Sequence, residues 1–310
     1  PCLQSLANQT CSEFQILVVD NASSDGSIEY MRENYPDIEL ISLNQNYGFS
    51  AAVNVGIRHS TTPYVLLLNN DTTVAPEFVD EMIKAIEKSP KIFSVSSKMI
   101  QMYHPGLIDS AGDMYTLLGW GYCRGGGLSI SNHRTDDIIF SACAGAAIYR
   151  RDIFSEIGFF DENHFAYLED IDVGYRAKIY GYQNTYCSSA IVYHVGSGTS
   201  GSKYNSFKVK LSARNNIYLN YKNMPIIQLI INFIPLLIGY FIKYIFFLKK
   251  GFGKDYLAGI MEGLQSRKKC KKVPFYFKHL SAYVKIEFEL IINTFSYFSQ
   301  YLSKKRNPGT

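Results

Sequence analysis

The chain has 310 residues, of which 47% are hydrophobic and 19% are charged, and its formal net charge is +4. This composition supplies an ample apolar core and excludes a mainly disordered chain, and the length allows one large domain with an appendage, or two domains. The charge is unevenly distributed, because residues 201–310 hold 19 Lys/Arg and 4 Asp/Glu whereas residues 1–200 hold 12 and 23. An acidic front part joined to a basic back part indicates two separate roles.

The six cysteines are scattered and none forms a C-x-x-C pair, so neither a zinc site nor a disulfide framework is indicated. A reducing cytoplasm is the simpler setting for them. The first residues lack the basic stretch followed by an apolar stretch that marks a secretory signal peptide. Residues 1–10 have a helical pattern, and we expect a strand to precede them that the 310 residues do not contain.

Strand and helix patterns alternate over the first hundred residues. Apolar runs predict strands at 15–19, 38–43, 64–68 and 93–96, and helical patterns lie between them at 27–33, 50–60 and 76–88. This alternation predicts a mostly parallel sheet with helices on both faces. Ligands in such sheets bind beyond the carboxyl ends of the strands.

The second hundred residues are less regular. The glycine-rich segment 119–127 predicts a mobile loop near the site. Further on, the pattern predicts an apolar segment from 141, a helix from Arg151, a helix over 170–180, and a strand over 190–193 that ends at His194. There is no G-x-G-x-x-G and no P-loop motif, so neither a dinucleotide fold nor a P-loop site is predicted.

Acidic residues directly follow two predicted strands. Asp71 closes the run Asn69-Asn70-Asp71 after five apolar residues. A carboxylate at that place suits a hard divalent cation, which would bridge the phosphates of a nucleotide diphosphate, although an Asx-type turn explains the run equally. Asp20 ends another strand and is placed to accept hydrogen bonds from a base or ribose. His194 also ends a strand, and both a ligand role and a structural role stay open for it.

Three acids open the predicted helix near residue 170. Glu169, Asp170 and Asp172 lie in its first turn, where the helix dipole favours them without any function. From the same place one carboxylate can point into a cleft, as a general base must to reach an acceptor hydroxyl. Asp172 and Arg176 are spaced to pair along the helix. Capping and catalysis therefore both remain open on local grounds.

In this order, the segments resemble the family 2 glycosyltransferases, which have a GT-A fold. The resemblance extends over roughly residues 1–220 and rests on 18–27, 46–49 with Asn54, 67–71, 158–162, 167–172 with Arg176, and His194. It implies a GT-A domain over 1–222, with a mostly parallel sheet flanked by helices. It also implies an enzyme that inverts the anomeric carbon in a single in-line displacement.

The resemblance implies roles residue by residue. Asp170 would be the catalytic base with Glu169 beside it, and Asp71, in the last place of the D-x-D motif, would bind Mg²⁺ or Mn²⁺ with His194. The nucleotide sugar would contact Asp20, Asn21, Ser23, Asp25, Asn46, Gly48, Asn54, Asn69 and Asn70. The acceptor side would include Trp120, Gly145 and Ala146.

Within the family, 158–176 and the Asn-Asn-Asp run look most like bacterial rhamnosyltransferases of surface polysaccharide synthesis, which use dTDP-rhamnose. A polyprenyl-phosphate glycosyltransferase is an alternative, since an ionised phosphate acceptor needs no strong base. A second alternative is an inactive nucleotide- or sugar-binding scaffold, because Asn69 stands where the family often has Asp and the first strand is missing.

The basic region 223–310 is predicted to be helical and to associate with a membrane. Residues 226–242 carry no charge, but a spanning helix needs about 20 apolar residues. Lysines flank the run, which suits helices lying in the interface of an anionic leaflet. Interfacial helices, a span or re-entrant hairpin, and a soluble helical subdomain all stay open, whereas nucleic acid fits the apolar runs less well. A lipid-linked saccharide acceptor would place the enzyme at the cytoplasmic face of the plasma membrane, peripheral or partly inserted.

Overall fold

The structure is a computed structural model that describes residues 1–196 and 204–306. The first hundred residues form the predicted alternation of strands and helices. The helices are α1 (Cys2–Ala7), α2 (Ser27–Asn34), α3 (Phe49–His59) and α4 (Phe78–Glu87), and the strands are β1 (Leu17–Asp20), β2 (Glu39–Ser42), β3 (Tyr64–Leu68), β4 (Thr72–Val74) and β5 (Ile92–Gln101). The predicted strands and helices of this part are therefore confirmed to within a few residues.

The middle of the chain adds short strands and the helix that opens with the acids. These elements are β6 (Ile108–Ser110), β7 (Asp113–Tyr115), β8 (Gly121–Cys123), β9 (Asp137–Ile139), β10 (Ala146–Arg150), α5 (Phe154–Ile157), α6 (Glu169–Ile179) and β11 (Gln183–His194). The glycine-rich segment predicted as a loop supplies β8, which pairs with β7 in an antiparallel hairpin. Gly125 N in this segment donates a hydrogen bond of 2.9 Å to Gln300 Oε1 near the end of the chain.

The prediction of a mostly parallel sheet is wrong. The central sheet has the order β3-β10-β5-β11-β4, with β6 on β5 and β9 on β11, and in the described part of the chain only its β5–β11 pair is parallel. The cause is β10, an apolar segment that runs antiparallel between β3 and β5, with Ala146 opposite Leu68 and Ala147 opposite Ser96. β1 and β2 form a separate parallel pair.

Helices cover both faces of the central sheet, as predicted. On one face, α4 packs its apolar side onto β5, β10 and β11, where Phe78, Met82 and Ile86 are buried against Val95. The other face holds an aromatic cluster in which Phe93 lies 5.4 Å from Tyr149 and 5.1 Å from Phe154 between ring centroids. These two apolar layers fix the strand ends that carry the acidic residues.

The C-terminal part is helical and packs back onto the hairpin. Its helices are α7 (Ser206–Asn223), α8 (Ile226–Ile231), α9 (Phe233–Lys249), α10 (Gly253–Ser266) and α11 (Leu280–Arg306). Asn293 Nδ2 on α11 donates a hydrogen bond of 3.0 Å to Tyr115 O on β7, and Leu117 N donates one of 3.1 Å to Leu290 O. Among the residues described, no helix combines the length and apolarity that crossing a membrane requires, and α9 has 17 residues.

Candidate active site

Asp71 and His194 lie side by side at one end of the central sheet. Asp71 follows β3 and precedes β4, and His194 is the last residue of β11. β4 pairs with β11 so that Thr72 is opposite His194, which brings Asp71 beside the imidazole. The distance from Asp71 Oδ1 to His194 Nε2 is 3.3 Å. The predicted pair is therefore brought together by strand register.

Asp109 is a third member of this group that the sequence analysis missed. It lies on β6, and its Oδ2 is 2.7 Å from His194 Nδ1. Burial by itself lowers the pKa of His194, but the hydrogen bond with Asp109 and the close contact with the Asp71 carboxylate outweigh burial and raise the pKa to about 9. The close contact with His194 also holds the pKa of Asp71 below its usual value.

The donor atoms at Asp71 and His194 fit a divalent cation. Asp71 Oδ1 is buried, and within the described residues it has no well-aligned hydrogen-bond partner, because His194 Nε2 is close but poorly directed. A buried carboxylate oxygen left without a partner is unusual unless an ion or a water completes it. Carboxylate oxygen and imidazole nitrogen are both ligands of Mn²⁺, and the carboxylate suits Mg²⁺.

Glu169 and Asp170 open α6 but differ in their surroundings. Asp170 is half-buried, and its carboxylate accepts hydrogen bonds from the backbone N–H groups of Ile171 and Ala144. Glu169 is 6% exposed, and its Oε2 has no partner in the described structure. Burial, followed by the charge of Asp170, raises the pKa of Glu169 well above its usual value, which favours its neutral form.

Asp113 is a further carboxyl group that the sequence analysis missed. A carboxylate oxygen of Asp113, one of Asp170 and the Cys143 sulfur all lie within 4.8 Å of one another. Burial and the Asp170 charge raise the pKa of Asp113 well above its usual value, which favours a protonated Asp113 that donates a hydrogen bond to Asp170. Burial also raises the pKa of the Cys143 thiol well above its usual value. Asp71 Oδ1, which is buried beside His194 Nε2 without a hydrogen-bond partner among the described residues, favours Asp71 and His194 as the cation site.

A two-residue link joins Asp170 to the segment that contains Asp71. Ala144 N–H donates to the Asp170 carboxylate, and Gly145 O accepts a hydrogen bond of 2.9 Å from Asn69 N. A Cβ at Gly145 would lie 3.3 Å from Asn69 Nδ2, so the backbone passes close to that side chain. The backbone of residues 144–145 therefore lies between the candidate base and the Asn69-Asn70-Asp71 segment, and the acceptor-side role of Gly145 remains a prediction.

The ends of β1 and β2 form another part of the candidate site, which we call the rim. Asn21 Nδ2 donates to Asn46 Oδ1 over 3.0 Å and to Gly48 O over 3.1 Å, and Tyr47 N donates back to Asn21 Oδ1. Asp20 is buried at the end of β1, where its carboxylate accepts a hydrogen bond of 3.0 Å from Ser23 N. The structure thus gathers Asp20, Asn21, Ser23, Asn46 and Gly48 as predicted.

A turn with unusual backbone angles connects this rim to the candidate base. Phe165, Tyr167 and Leu168 have φ values of 64°, 72° and 68°, and Asp170 follows in the first turn of α6. The Phe165 ring occupies the place that a Cβ on Gly48 would need, which requires glycine at position 48. Non-glycine residues in this region cost about 1–3 kcal/mol each and cluster at functional sites.

The sequence comparison decides the family. The glycosyl transferase family 2 model matches residues 1–158, about half of the chain and all of the strands up to β10. The chain belongs to glycosyltransferase family 2. It is a glycosyltransferase, and the resemblance found in its sequence is confirmed.

Characterised relatives of this family 2 glycosyltransferase are distant. The N-acetylglucosaminyl-diphospho-decaprenol L-rhamnosyltransferase of Mycobacterium tuberculosis (strain CDC 1551 / Oshkosh) is 24% identical over 224 residues, which cover 64% of this chain and 72% of the relative. The O-antigen biosynthesis protein RfbC of Myxococcus xanthus is 26% identical over 189 residues, which cover 57% of this chain but 14% of that protein.

A solved structure shares the fold. The crystal structure of GalNAc-T7 with UDP, GalNAc and Mn²⁺ superposes with a TM-score of 0.56 at 14% identity, over 71% of this chain and 44% of that chain. At that identity the likeness concerns the fold, a central mixed sheet flanked by helices.

One nucleotide-side prediction needs correction in the structure of this family member, and a second remains a prediction. Asn54 is fully buried in α3, where it donates to Phe160 O and Glu162 Oε1 and accepts from Phe160 N, so no polar group of its side chain is free for a ligand. Asp25 is exposed and accepts hydrogen bonds from the backbone N–H and hydroxyl of Ser27 at the start of α2. Asp25 therefore has the turn role that its sequence context also allowed.

Two acceptor-side predictions also need correction. Trp120 is only 6% exposed, and its Nε1 donates a hydrogen bond of 3.1 Å to Gly239 O on α9, so its ring packs under the C-terminal helices. Ala146 is fully buried within β10. Asn70 is exposed beside Asp71, and its contact with the nucleotide sugar remains a prediction.

Proposed function

We propose that this enzyme transfers a sugar, with inversion, from a nucleoside diphosphate donor to a hydroxyl group of a lipid-linked saccharide acceptor. The observation that carries the proposal is the link through Ala144 and Gly145, which sets the Asp170 carboxylate beside the Asn69-Asn70-Asp71 segment. A base next to a diphosphate site is the arrangement that glycosyl transfer needs.

Asp170 is the proposed base. The acceptor hydroxyl oxygen attacks the anomeric carbon and forms a new C–O bond, while the hydroxyl proton moves to the Asp170 carboxylate. The bond between the anomeric carbon and the diphosphate oxygen breaks. Burial raises the pKa of all three carboxyl groups, but hydrogen bonds from Asp113, Ile171 and Ala144 favour the charged form of Asp170, whereas the pKa values of Asp113 and Glu169 are raised well above their usual range, so we assign the proton acceptor to Asp170. Attack in line with the departing diphosphate inverts the anomeric carbon.

A divalent cation, Mg²⁺ or Mn²⁺, would be held by Asp71 Oδ1 and His194 Nε2. When bound, the cation supplies positive charge that stabilises the departing diphosphate. Asp109, bonded to Nδ1 of His194, orients the ring so that Nε2 faces Asp71. The rim around Asp20, Asn21 and Asn46 would hold the nucleoside.

For the substrates, we propose rhamnose from dTDP-rhamnose as the transferred sugar and a polyprenyl-diphosphate-linked saccharide as the acceptor. The support is the name of the mycobacterial relative, which acts on an N-acetylglucosaminyl-diphospho-decaprenol. Such an acceptor is anchored in lipid, so we also propose that the enzyme works peripherally at the cytoplasmic face of the plasma membrane, with residues 223–310 as its membrane-associating region.

The test is a transfer assay with the full chain, Mn²⁺ and a panel of nucleotide sugars on a lipid-linked N-acetylglucosamine acceptor. We expect Asp170→Asn to lower kcat by about 10²–10⁴-fold, because the variant lacks the proton acceptor, while calorimetry still detects donor binding. The exposed Asp37→Asn is the matched control and should turn over normally. Near-normal turnover of Asp170→Asn would refute this assignment of the base.

A further inference from the structure

The C-terminal helices expose far more apolar surface than the rest of the molecule. Of 34 large apolar side chains that are exposed in the described residues, 27 lie between 226 and 302. Scattered single exposures are ordinary, but a contiguous patch of this kind marks an interaction surface. This surface therefore predicts a binding partner.

The exposed side chains form stripes on neighbouring helices. Gln228 and Asn232, on α8 and just after it, donate hydrogen bonds of 2.8 and 2.9 Å to Glu287 on α11, so the stripes that flank this contact border one another. We call the combined surface the docking face. It consists of Ile226, Ile227, Ile230, Ile231, Phe233, Ile234, Leu237, Ile238 and Phe241 from α8 and α9, and of Leu280, Val284, Phe288, Ile291, Ile292, Phe295 and Leu302 from α11.

Lysines border the docking face, and the acids of the same region are already engaged. Glu262 pairs with Lys210 and Arg214, Glu289 pairs with Lys178, and Asp255 accepts from Ser206. The exposed lysines from the end of α9 to the end of the described chain are Lys249, Lys250, Lys254, Lys268, Lys269, Lys271, Lys278, Lys285 and Lys305. The region of the chain that carries the docking face is thus strongly positive.

The docking face is joined to the helix that carries Asp170. A Cβ on Gly239 of α9 would collide with Leu118 O, and Leu117 N donates to Thr294 Oγ1 on α11 over 3.0 Å, so the 117–121 segment is held against both helices. At the other end of this segment, a Cβ on Gly121 would lie 2.7 Å from the Ile171 side chain of α6. The helices that carry the docking face are therefore in contact with α6 through the 117–121 segment.

We propose that the docking face lies in the interface of an anionic lipid bilayer, with the apolar stripes among the acyl chains and the lysines at the headgroups. A membrane leaflet offers both the apolar layer and the negative charge that this surface lacks. A second copy of the chain would offer the apolar layer but would bring like charges together. The reason for membrane binding rests on the proposed function, because a lipid-linked acceptor requires the active site to lie near the membrane.

The test is flotation of the full chain, without donor, with vesicles of phosphatidylcholine alone or of phosphatidylcholine and phosphatidylglycerol. We expect binding to the anionic vesicles. The triple variant Ile230→Ser, Phe288→Ser, Phe295→Ser should lower the partition coefficient by about a hundredfold or more, because each change removes a side chain that would be buried in lipid. Exposed Tyr103→Ser, far along the sequence from the docking face, is the matched control. Replacing Lys268, Lys269 and Lys271 by Glu should weaken anionic binding at least about fivefold per lysine and leave residual neutral binding unchanged.

Equal flotation of wild type and the triple variant would overturn the proposal. So would concentration-dependent dimers that the triple variant abolishes while neither protein binds vesicles, because a second copy would then occupy the docking face. Hydrolysis of the nucleotide sugar is measured on the same purified proteins. It should be unchanged in the triple variant, which would show that this variant is folded. If vesicle binding holds but no nucleotide sugar is turned over by any protein, the proposed transfer reaction fails while the docking face stands.

Discussion

The side-chain amide of Asn215 on α7 donates a hydrogen bond of 2.8 Å to the backbone carbonyl of Tyr167, three residues before Asp170. The same nitrogen lies 2.8 Å from His164 O and from Ala166 O. One buried side chain, outside the part of the chain that the family model matches, thus holds the turn that leads into the proposed base. The C-terminal part of the chain therefore supports the candidate active site and also carries the docking face.

We expect Asn215→Ala to lower kcat by about 10–100-fold, because a turn with three positive φ values loses its shared donor and Asp170 is no longer held in place. Steady-state kinetics with separate kcat and KM for donor and acceptor checks this. Asn220→Ala is the matched control, since Asn220 is equally buried on α7 but bonds Tyr115 and Tyr240. If both variants lose kcat in proportion to their loss of thermal stability, Asn215 has only a structural role.

The hydrogen bond from Asp113 to Asp170 gives a second prediction. Asn at position 113 can still donate to Asp170, so Asp113→Asn should keep activity within about tenfold of wild type, whereas Asp113→Ala removes the donor. Because that donor stabilises the charged form of Asp170, its loss raises the pKa of the base and moves the acid limb of kcat/KM to higher pH. Complete loss of activity in Asp113→Asn, with donor binding intact, would mean that Asp113 itself must ionise.

The parts of this enzyme that sequence predicts are those set by local patterns. β1, β2 and β3 follow from apolar runs, and Asp71 and Asp170 stand out because one follows a strand and the other begins a helix, whereas their roles remain predictions. β10 was not predicted, because a five-residue apolar run does not indicate which strands it pairs with. Its antiparallel position between β3 and β5 makes the sheet mixed rather than mostly parallel.

The unpredicted site residues depend on long-range pairing. Asp109 and Asp113 lie on three-residue strands that are positioned by β5 and β8, so nothing in their own neighbourhood distinguishes them from surface acids. Trp120 was assigned to the acceptor side for a comparable reason, because its burial is created by α9 and α11, more than a hundred residues further on.

Buried His164 gives a prediction for stability as a function of pH. Its ring nitrogens have no hydrogen-bond partner in the described structure, and burial lowers its pKa from 6.5 to about 4. Between these values the unfolded chain binds a proton that the folded chain does not, so the unfolding free energy falls as pH falls from 6.5 to 4, by up to about 3 kcal/mol. His164→Phe should remove this part of the pH dependence. Thermal or denaturant unfolding at several pH values checks it, with the exposed His59→Phe as control; parallel curves for wild type and His164→Phe would contradict it.

The last prediction concerns Asp109, which we expect to tune metal binding without touching the metal. Its carboxylate bonds Nδ1 of His194 over 2.7 Å and so directs Nε2 toward Asp71. Asp109→Asn should therefore weaken Mn²⁺ binding by about 10–100-fold, measured by electron paramagnetic resonance or calorimetry with a nucleoside diphosphate present, while saturating Mn²⁺ restores most of the transfer rate. Asp71→Asn removes a proposed ligand, so added metal should not restore its activity. The exposed Asp37→Asn is again the control. If Asp109→Asn binds Mn²⁺ like the wild type, or if a chelator leaves transfer unaffected, then Asp71 and His194 are not the metal site.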